Sequence, residues 1–148
     1  MAYERCKASL FAGAALALML AGCVATEGEG VTPVGPVWIA TEIAGDATPA
    51  EPTKPAVTLQ LGADGRASGK GGCNQYGGPY ELAGASISFG ALVSTKMACE
   101  QPAMDREGAY FDALAKVTHY ELRNDAELVL LADNGNRIVL RRSGEEAP

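Results

Sequence analysis

Short runs of β-forming residues, separated by turn dipeptides, fill most of the chain after residue 36. The runs VWIATEI (37–43), VTLQL (57–61), ELVLLA (127–132) and RIVLRR (137–142) all have this character. Asp64-Gly65 marks a tight turn, and Asn134-Gly135 separates two of the β-forming runs. Asn-Gly between such runs is the strongest short hairpin signal. Short strands joined by tight turns predict an antiparallel sheet.

Further short strands are predicted at PYEL (79–82), SISF (86–89) and HYELR (119–123). From Pro102 the apolar spacing becomes helical, and proline is tolerated in the first turn of a helix. The predicted apolar stripe consists of Met104, Phe111, Leu114, Ala115 and Thr118. We expect an α+β fold of seven or eight short strands in a curved, half-barrel-like, mainly antiparallel sheet, with one helix packed on its open side.

The first 22 residues have the plan of a secretory signal. Arg5 and Lys7 precede the apolar run SLFAGAALALML (9–20), and small residues follow it. The run is shorter than the ~20 residues that a spanning helix needs, which favours a cleaved signal over a membrane anchor. The stretch LAGC (20–23) resembles the bacterial lipobox, a motif in which the peptidase cuts immediately before the cysteine. Cys23 is therefore the predicted site of lipidation.

Residues 23–36 are predicted to be the lipidated cysteine followed by a flexible linker rich in Gly, Pro, Glu and Thr. Several acyl chains on Cys23 would hold the protein firmly in a bilayer. Val24 follows the lipid site, and known sorting patterns then favour the outer membrane over the inner one. The domain is predicted at 37–142, and residues 143–148 are predicted to be a disordered tail. We expect a periplasm-facing location.

The charge balance argues against nucleic acid as a partner. The chain has 12 basic and 18 acidic residues, with a formal net charge of −6. Neutralising phosphates needs clustered Lys and Arg, and the dense basic group here is Arg141-Arg142. Two arginines at a strand end are typical of a solvated edge.

Cys73 and Cys99 are the cysteines left in the folded domain once Cys6 leaves with the signal and Cys23 takes lipid. An even number of cysteines in an exported domain favours a disulfide. A zinc site would need a fourth ligand beyond the two cysteines and His119. A Cys–His nucleophile would need a free thiolate. His119 is interpreted as a cap at the C-terminus of the predicted helix.

The stretch SGKGGCNQYGGPYEL (68–82) is rich in glycine. It fails the P-loop pattern, because Asp64 stands where the first glycine belongs and Gly71 follows Lys70. It fails the dinucleotide fingerprint at Asn74. We therefore interpret its glycines as permitting a tight, bulged strand crossing.

Aromatic residues suggest one candidate ligand face, formed by Trp38, Tyr76, Tyr80 and Phe89. No catalytic, cofactor-binding or metal-binding residue is predicted, since the acidic residues follow no pattern that indicates a shared cleft.

The succession of Trp38, LQLGADGRASGKGGCNQYGGPYEL (59–82), ISF (87–89), TKMAC (95–99), PAMDREGAYFDAL (102–114) and ELVLL (127–131) closely resembles the META domain family, typified by the HslJ heat-shock proteins of the bacterial envelope. The resemblance implies a compact β-rich domain with a packed helix, often exported or lipid-anchored and associated with envelope stress or antibiotic tolerance. Its motif cysteines fall on Cys73 and Cys99. Asn74 and Lys96 occupy motif positions to which no role is assigned.

Three functions stay open at this level. The first is a non-enzymatic, lipid-anchored module that binds another envelope protein. The second is a periplasmic carrier of a small ligand, held by the aromatic face. The third is an enzyme that uses His119 or a carboxylate.

We expect the protein extracted from membranes to lack residues 1–22 and to carry lipid on Cys23. Intact mass with and without reductant tests both points, and reduction should add two hydrogens if Cys73 and Cys99 are bonded. A cytosolic product that keeps its initiator methionine and all its thiols would contradict the prediction.

Overall fold

The computed structural model describes residues 32–47 and 56–144. The predicted signal, Cys23, the linker up to residue 31 and the last four residues of the predicted tail lie outside the described residues. The described part contains ten strands and one helix: β1 Val37–Ile43, β2 Asp46–Ala47, β3 Thr58–Leu61, β4 Arg66–Lys70, β5 Gln75–Ala83, β6 Ser86–Phe89, β7 Val93–Ser94, α1 Gln101–Leu114, β8 Val117–Arg123, β9 Glu127–Ala132 and β10 Arg137–Arg142. Over these residues, no helix is both long enough and apolar enough to span a bilayer.

The predicted α+β class is confirmed, and β1, β6, β9 and β10 have the bounds expected from the sequence. These runs are rich in β-branched and large apolar residues and are bounded by turn residues. Gly135 in the β9–β10 turn has φ 85°, and Asn124 and Asp125 after β8 have φ 51° and 58°. Gly, Asn and Asp are the residues that best tolerate this left-handed region.

The sheet closes into a barrel instead of stopping as a half-barrel. Its strand order is β10-β9-β8-β6-β5-β4-β3-β1, and β10 also pairs with β1, from Trp38↔Arg142 to Ile43↔Ile138. A bulge between Ala40 and Glu42 bends β1 along this pairing. Closure removes the exposed edges that an open sheet would leave at β1 and β10.

One junction of the barrel has fewer register pairs than the others. β6 and β8 pair antiparallel through a single position, Ser86↔His119, while neighbouring strands elsewhere pair over longer runs. The Tyr120 amide also donates to the Ala85 carbonyl at 3.0 Å. The described residues of β6 after Ser86 have no further register pair with β8, and β7 pairs with β5. This junction is called the β6–β8 seam below.

The glycine-rich stretch forms a hairpin, not the predicted crossing. β4 pairs with β5 from Arg66↔Pro79 to Lys70↔Gln75, and residues 71–74 connect them. Gly72 in this connection has φ 124°, a conformation that side chains rarely adopt. The sequence shows the glycines but not which strand pairs with β4. A hairpin could therefore not be distinguished from a strand crossing.

The two ends of the barrel can be assigned from strand direction. β1 and β4 run the same way, because each is antiparallel to β3. The 71–74 loop after β4 therefore lies at the end where β1 finishes. α1 contacts this loop through Glu107, so we call this the α1 end. The opposite end, where β1 begins, is called the Trp38 end.

At the Trp38 end, the last part of the predicted linker belongs to the domain. Trp38 is 1% exposed, and its indole Nε1 donates to the Pro33 carbonyl at 2.8 Å. The Gly35 amide donates to the Leu61 carbonyl at 2.9 Å. The chain therefore packs on the domain from Pro33, four residues before the predicted boundary at residue 37. Local composition suggested a linker, whereas the contacts that order it come from β1 and β3.

The helix buries only part of the predicted stripe: Leu114 is buried and Phe111 packs against the core, but Met104, Ala115 and Thr118 do not form its buried face. Its buried residues are Glu107, Tyr110, Ala113 and Leu114. Met104 is 42% exposed and Ala115 is exposed. Thr118 belongs to β8, as does His119, so the predicted helix cap at His119 is wrong. The apolar pattern identified a helix correctly, but a buried glutamate paired with polar groups of another loop does not follow from that pattern.

Gly78 allows close packing of the segment that follows β6. A Cβ on Gly78 would lie 2.7 Å from the Ala91 carbonyl oxygen and 2.8 Å from Leu92 Cδ2. A Cβ on Gly77 would meet the Ala67 carbonyl oxygen at 3.5 Å, an ordinary contact.

We therefore expect Gly78→Ala to lower the free energy of unfolding by about 1–3 kcal/mol through overpacking. Gly77→Ala is the matched control and should have a smaller effect. Urea denaturation of both variants and the parent chain measures this difference. Equal stabilities of the two variants would contradict the packing described for Ala91 and Leu92.

Candidate functional site

The SGKGGCN and TKMAC motifs meet at the α1 end. Cys73 and Cys99 form a disulfide with a Cα–Cα distance of 6.0 Å across a sequence separation of 26. Closing a loop of this length contributes roughly 3.5 kcal/mol in the chain-entropy model. The predicted cysteine pair is thus bonded in the structure. It fastens the 71–74 loop to the segment that leads into α1.

Asn74 links the same two segments through its side chain. It is 5% exposed, and its Oδ1 accepts hydrogen bonds from the Thr95 hydroxyl at 2.8 Å and the Met97 amide at 2.7 Å. Its Nδ2 donates to Glu107 Oε1 at 2.8 Å. One amide therefore holds the loop, the 95–97 segment and the helix together, which gives this motif position a structural role.

Glu107 projects from α1 onto the 71–74 loop. Its Oε2 accepts hydrogen bonds from the Asn74 amide at 2.6 Å and the Cys73 amide at 3.1 Å. Burial acts to raise the pKa of this carboxyl. The hydrogen bonds from Asn74 and Cys73 and the positive charge of Lys96 outweigh that effect, so that its pKa lies below the ordinary value of 4.5. The carboxylate is held ionised by donors of the protein itself, which favours a structural role.

Tyr76 and Tyr110 form a buried phenol pair above this cluster. Their hydroxyl oxygens are 2.7 Å apart, and the Tyr76 hydroxyl donates to the Thr58 carbonyl at 2.9 Å. Burial raises the pKa of both phenols, and the hydrogen bond to Tyr110 only partly offsets this for Tyr76. Both therefore stay neutral over the physiological pH range.

The aromatic residues predicted to share a ligand face are divided by the fold. Trp38 plugs the Trp38 end, and Tyr76 belongs to the phenol pair. Tyr80 is 8% exposed and donates to the Gly62 carbonyl at 2.7 Å. Phe89 is half-buried, and it is the one member of these four that lines the cleft beside α1. Alternation along β1, β5 and β6 cannot show which inward side chains fill the core.

This cleft has a volume of about 280 Å³ and lies between the end of β6 and the last turns of α1. Its lining consists of Phe89, Gly90, Ala91, Leu92, Ser94, Phe111 and Ala115. Sequence reasoning placed Phe111 and Ala115 on the core stripe of the helix. Phe111 does pack against the core, but the sequence did not show that both residues also line this cleft. The helical spacing of Phe111 and Ala115 indicated that they share one face of the helix. Only the tertiary structure shows that this face borders a cleft.

His119 lies on the outer face of β8, away from any free thiol in the described chain, since both described cysteines are bonded. Its Nδ1 is 2.9 Å from the Thr118 hydroxyl, and that hydroxyl donates to Asp133 at 2.8 Å. In the described residues, no cluster of three or more His, Cys, Asp or Glu side chains suits a metal ion.

The profile of the META domain family matches residues 32–145. The chain belongs to the META domain family. This match begins earlier and ends later than the domain bounds predicted from sequence, and it includes the Pro33–Pro36 segment that packs at the Trp38 end. Among curated proteins, no match is found.

Solved structures similar to this META domain support the same fold. A protein from Burkholderia xenovorans, determined by NMR, is 34% identical with a TM-score of 0.62, over 76% of this chain and 85% of that chain. A DUF4847 family protein from Bacteroides vulgatus ATCC 8482 is 12% identical with a TM-score of 0.52, over 78% of this chain and 96% of that chain. The second likeness concerns the fold alone.

We expect Glu107→Gln to lower the free energy of unfolding by about 1–3 kcal/mol. All three groups that face the carboxylate donate hydrogen bonds, and an amide NH₂ would oppose one of them. The exposed Asp105→Asn on the same helix is the matched control. Chemical denaturation at neutral pH measures the effect, and a Glu107→Gln variant as stable as the parent would contradict it.

The difference in stability between the parent chain and the Glu107→Gln variant should depend on pH. A carboxyl whose pKa is lowered by folding stabilises the fold above its unfolded value of 4.5. This stabilisation is lost as the pH falls through the folded-state pKa. The stability difference between the parent and Glu107→Gln should therefore shrink on acidification, and a difference that grows would contradict the assignment.

Proposed function

We propose that this META domain is a non-enzymatic binding module of the bacterial envelope, held at the outer membrane by lipid on Cys23 and acting on another envelope protein. We further propose, on the family resemblance, a contribution to envelope stress or antibiotic tolerance. The observation that carries the binding proposal is the position of the chain's entry into the domain. It enters at the Trp38 end, opposite to α1.

The tether sets the distance between the domain and the bilayer. Cys23 and Pro33, the first buried residue among those described, are ten positions apart in the chain. A flexible chain of that length has a root-mean-square reach of roughly 16–19 Å. The Trp38 end is thereby kept near the bilayer, and the α1 end is free to face away from it.

The α1 end also carries the more exposed of the large apolar side chains. Val93 is 70% exposed, Met97 is 54% exposed and Met104 is 42% exposed. Single exposed apolar residues are common, but a group of them at one end of a small domain favours a protein interface. Methionine side chains are flexible and polarizable, which suits adaptable contacts with a partner.

The chemistry of the described residues favours binding over catalysis. The buried carboxylate of Glu107 is saturated by donors, the thiols of Cys73 and Cys99 are bonded to each other, and the phenols of the Tyr76–Tyr110 pair stay protonated. His119 and Asp133 are exposed and lie outside the cleft. These features support the binding proposal over an enzyme that uses His119 or a carboxylate.

We expect a photocrosslinking residue in place of Met104 to capture a specific envelope protein in intact cells. The same residue in place of Leu82, which is 36% exposed near the Trp38 end, is the matched control and should not capture it. Cys23→Ala should release the chain from the membrane and abolish the adduct.

Immunoblotting and mass spectrometry of the adducts report the result. Capture of the same protein from Leu82, or the absence of a specific adduct from both Met97 and Met104, would contradict the proposed interface.

A further inference from the structure

The cleft beside α1 lies next to the β6–β8 seam. The register pair between β6 and β8 is Ser86↔His119, and β6 then runs on to Phe89 beside β5. α1 precedes β8 in the chain, and Phe111 and Ala115 form its side of the cleft. The other side is formed by Phe89 and the segment that follows β6. The two sides of the opening therefore come from separate parts of the chain.

Both walls of the cleft are fixed before any ligand arrives. The Phe111 ring lies edge-on to Tyr76 at a centroid distance of 5.3 Å and contacts Tyr110 at 5.8 Å. On the opposite wall, the Gly90 amide donates to the Pro79 carbonyl at 2.9 Å. The Thr95 amide donates to the Gln75 carbonyl at 3.0 Å. A preformed site loses little conformational freedom on binding.

The lining favours a neutral, apolar ligand. None of the described residues that line the cleft is ionisable, and Ser94 contributes their one polar side chain. A charged ligand would lose its hydration here without gaining a partner charge. Phe89 and Phe111 lie on opposite walls, and aromatic rings interact favourably with further rings edge-to-face or offset.

The volume limits the ligand to a small molecule. An apolar engineered cavity of about 150 Å³ is enough to bind benzene. The cleft of about 280 Å³ is larger, but lies near the lower limit of small-molecule sites. One substituted ring or two fused rings fit this size, whereas a lipid with long acyl chains does not.

We propose that the cleft binds a small neutral aromatic molecule, with its ring between Phe89 and Phe111 and one polar substituent at the Ser94 hydroxyl. This activity goes beyond the proposed envelope-protein interface, which involves Met97 and Met104. It depends neither on the lipid at Cys23 nor on a protein partner.

The test uses 1-naphthol as the probe and the full chain purified from membranes in detergent. Its binding is measured by saturation-transfer NMR and by titration. Ala115→Trp fills the cleft from the helix and should weaken binding at least tenfold. Ala109→Trp places the same side chain on an exposed position of the helix outside the cleft and should leave binding unchanged. Ser94→Ala should weaken binding roughly two- to tenfold, the effect of one neutral hydrogen bond.

Decahydro-1-naphthol, the saturated analogue, distinguishes an aromatic site from a merely apolar one and should bind more weakly. Equal binding of both probes, or equal binding by Ala115→Trp and the parent, would overturn the proposal. If Ala115→Trp fails to fold, Ala91→Phe tests the opposite wall by the same criterion. The assay contains no partner protein, so its outcome is independent of crosslinking at Met104.

Discussion

The carboxylate of Glu107 connects the helix to the barrel. It accepts hydrogen bonds from the amides of Cys73 and Asn74, in the connection between β4 and β5. Asn74 in turn binds Thr95 and Met97 on the way into α1. The disulfide fastens the same two segments covalently. Together with the hydrogen bonds between Thr95 and Gln75 of β5, these contacts hold the 95–100 segment against the barrel.

Fixing this segment has a consequence for the wall of the barrel. β7 and α1 lie between β6 and β8 in the chain. β6 and β8 are therefore neighbours in the sheet but not in sequence. Their register pair is Ser86↔His119. The cleft beside this seam is bordered by the helix on one side and by the segment after β6 on the other. The short seam and the cleft are therefore neighbouring features of the barrel wall.

The two ends of the barrel are built differently and suit different roles. The Trp38 end is filled by the indole and sealed by Pro33, where the chain arrives from the predicted anchor. The α1 end carries the polar cluster, the exposed methionines and the cleft. This polarity supports our proposal of a domain that is tethered at one end and binds at the other.

Short-range pattern predicted most of the strands. β9 and β10 have the expected bounds because alternation and the Asn-Gly turn are local properties. β4 and β7 were missed for different reasons. Serine, glycine and arginine give β4 little β propensity, and β7 is only two residues long, so both are recognised as strands through their pairing with β5. The buried face of α1 was misassigned for the same kind of reason. From sequence alone, a glutamate in a helix is predicted to face solvent. The hydrogen-bond donors that bury Glu107 lie on a loop that is distant in sequence.

The sequence by itself determined the class of fold and the presence of one helix, because turn residues and apolar period act locally. It favoured a disulfide between Cys73 and Cys99, and the structure showed that the two sulfurs are bonded. Only the tertiary structure decided that the sheet closes, that Asn74 and Glu107 meet, and that Phe89 lines a cleft with Phe111 while Trp38, Tyr76 and Tyr80 fill the core. Those outcomes depend on which segments that are distant in sequence lie next to each other in the fold. Local sequence patterns do not specify these long-range neighbours.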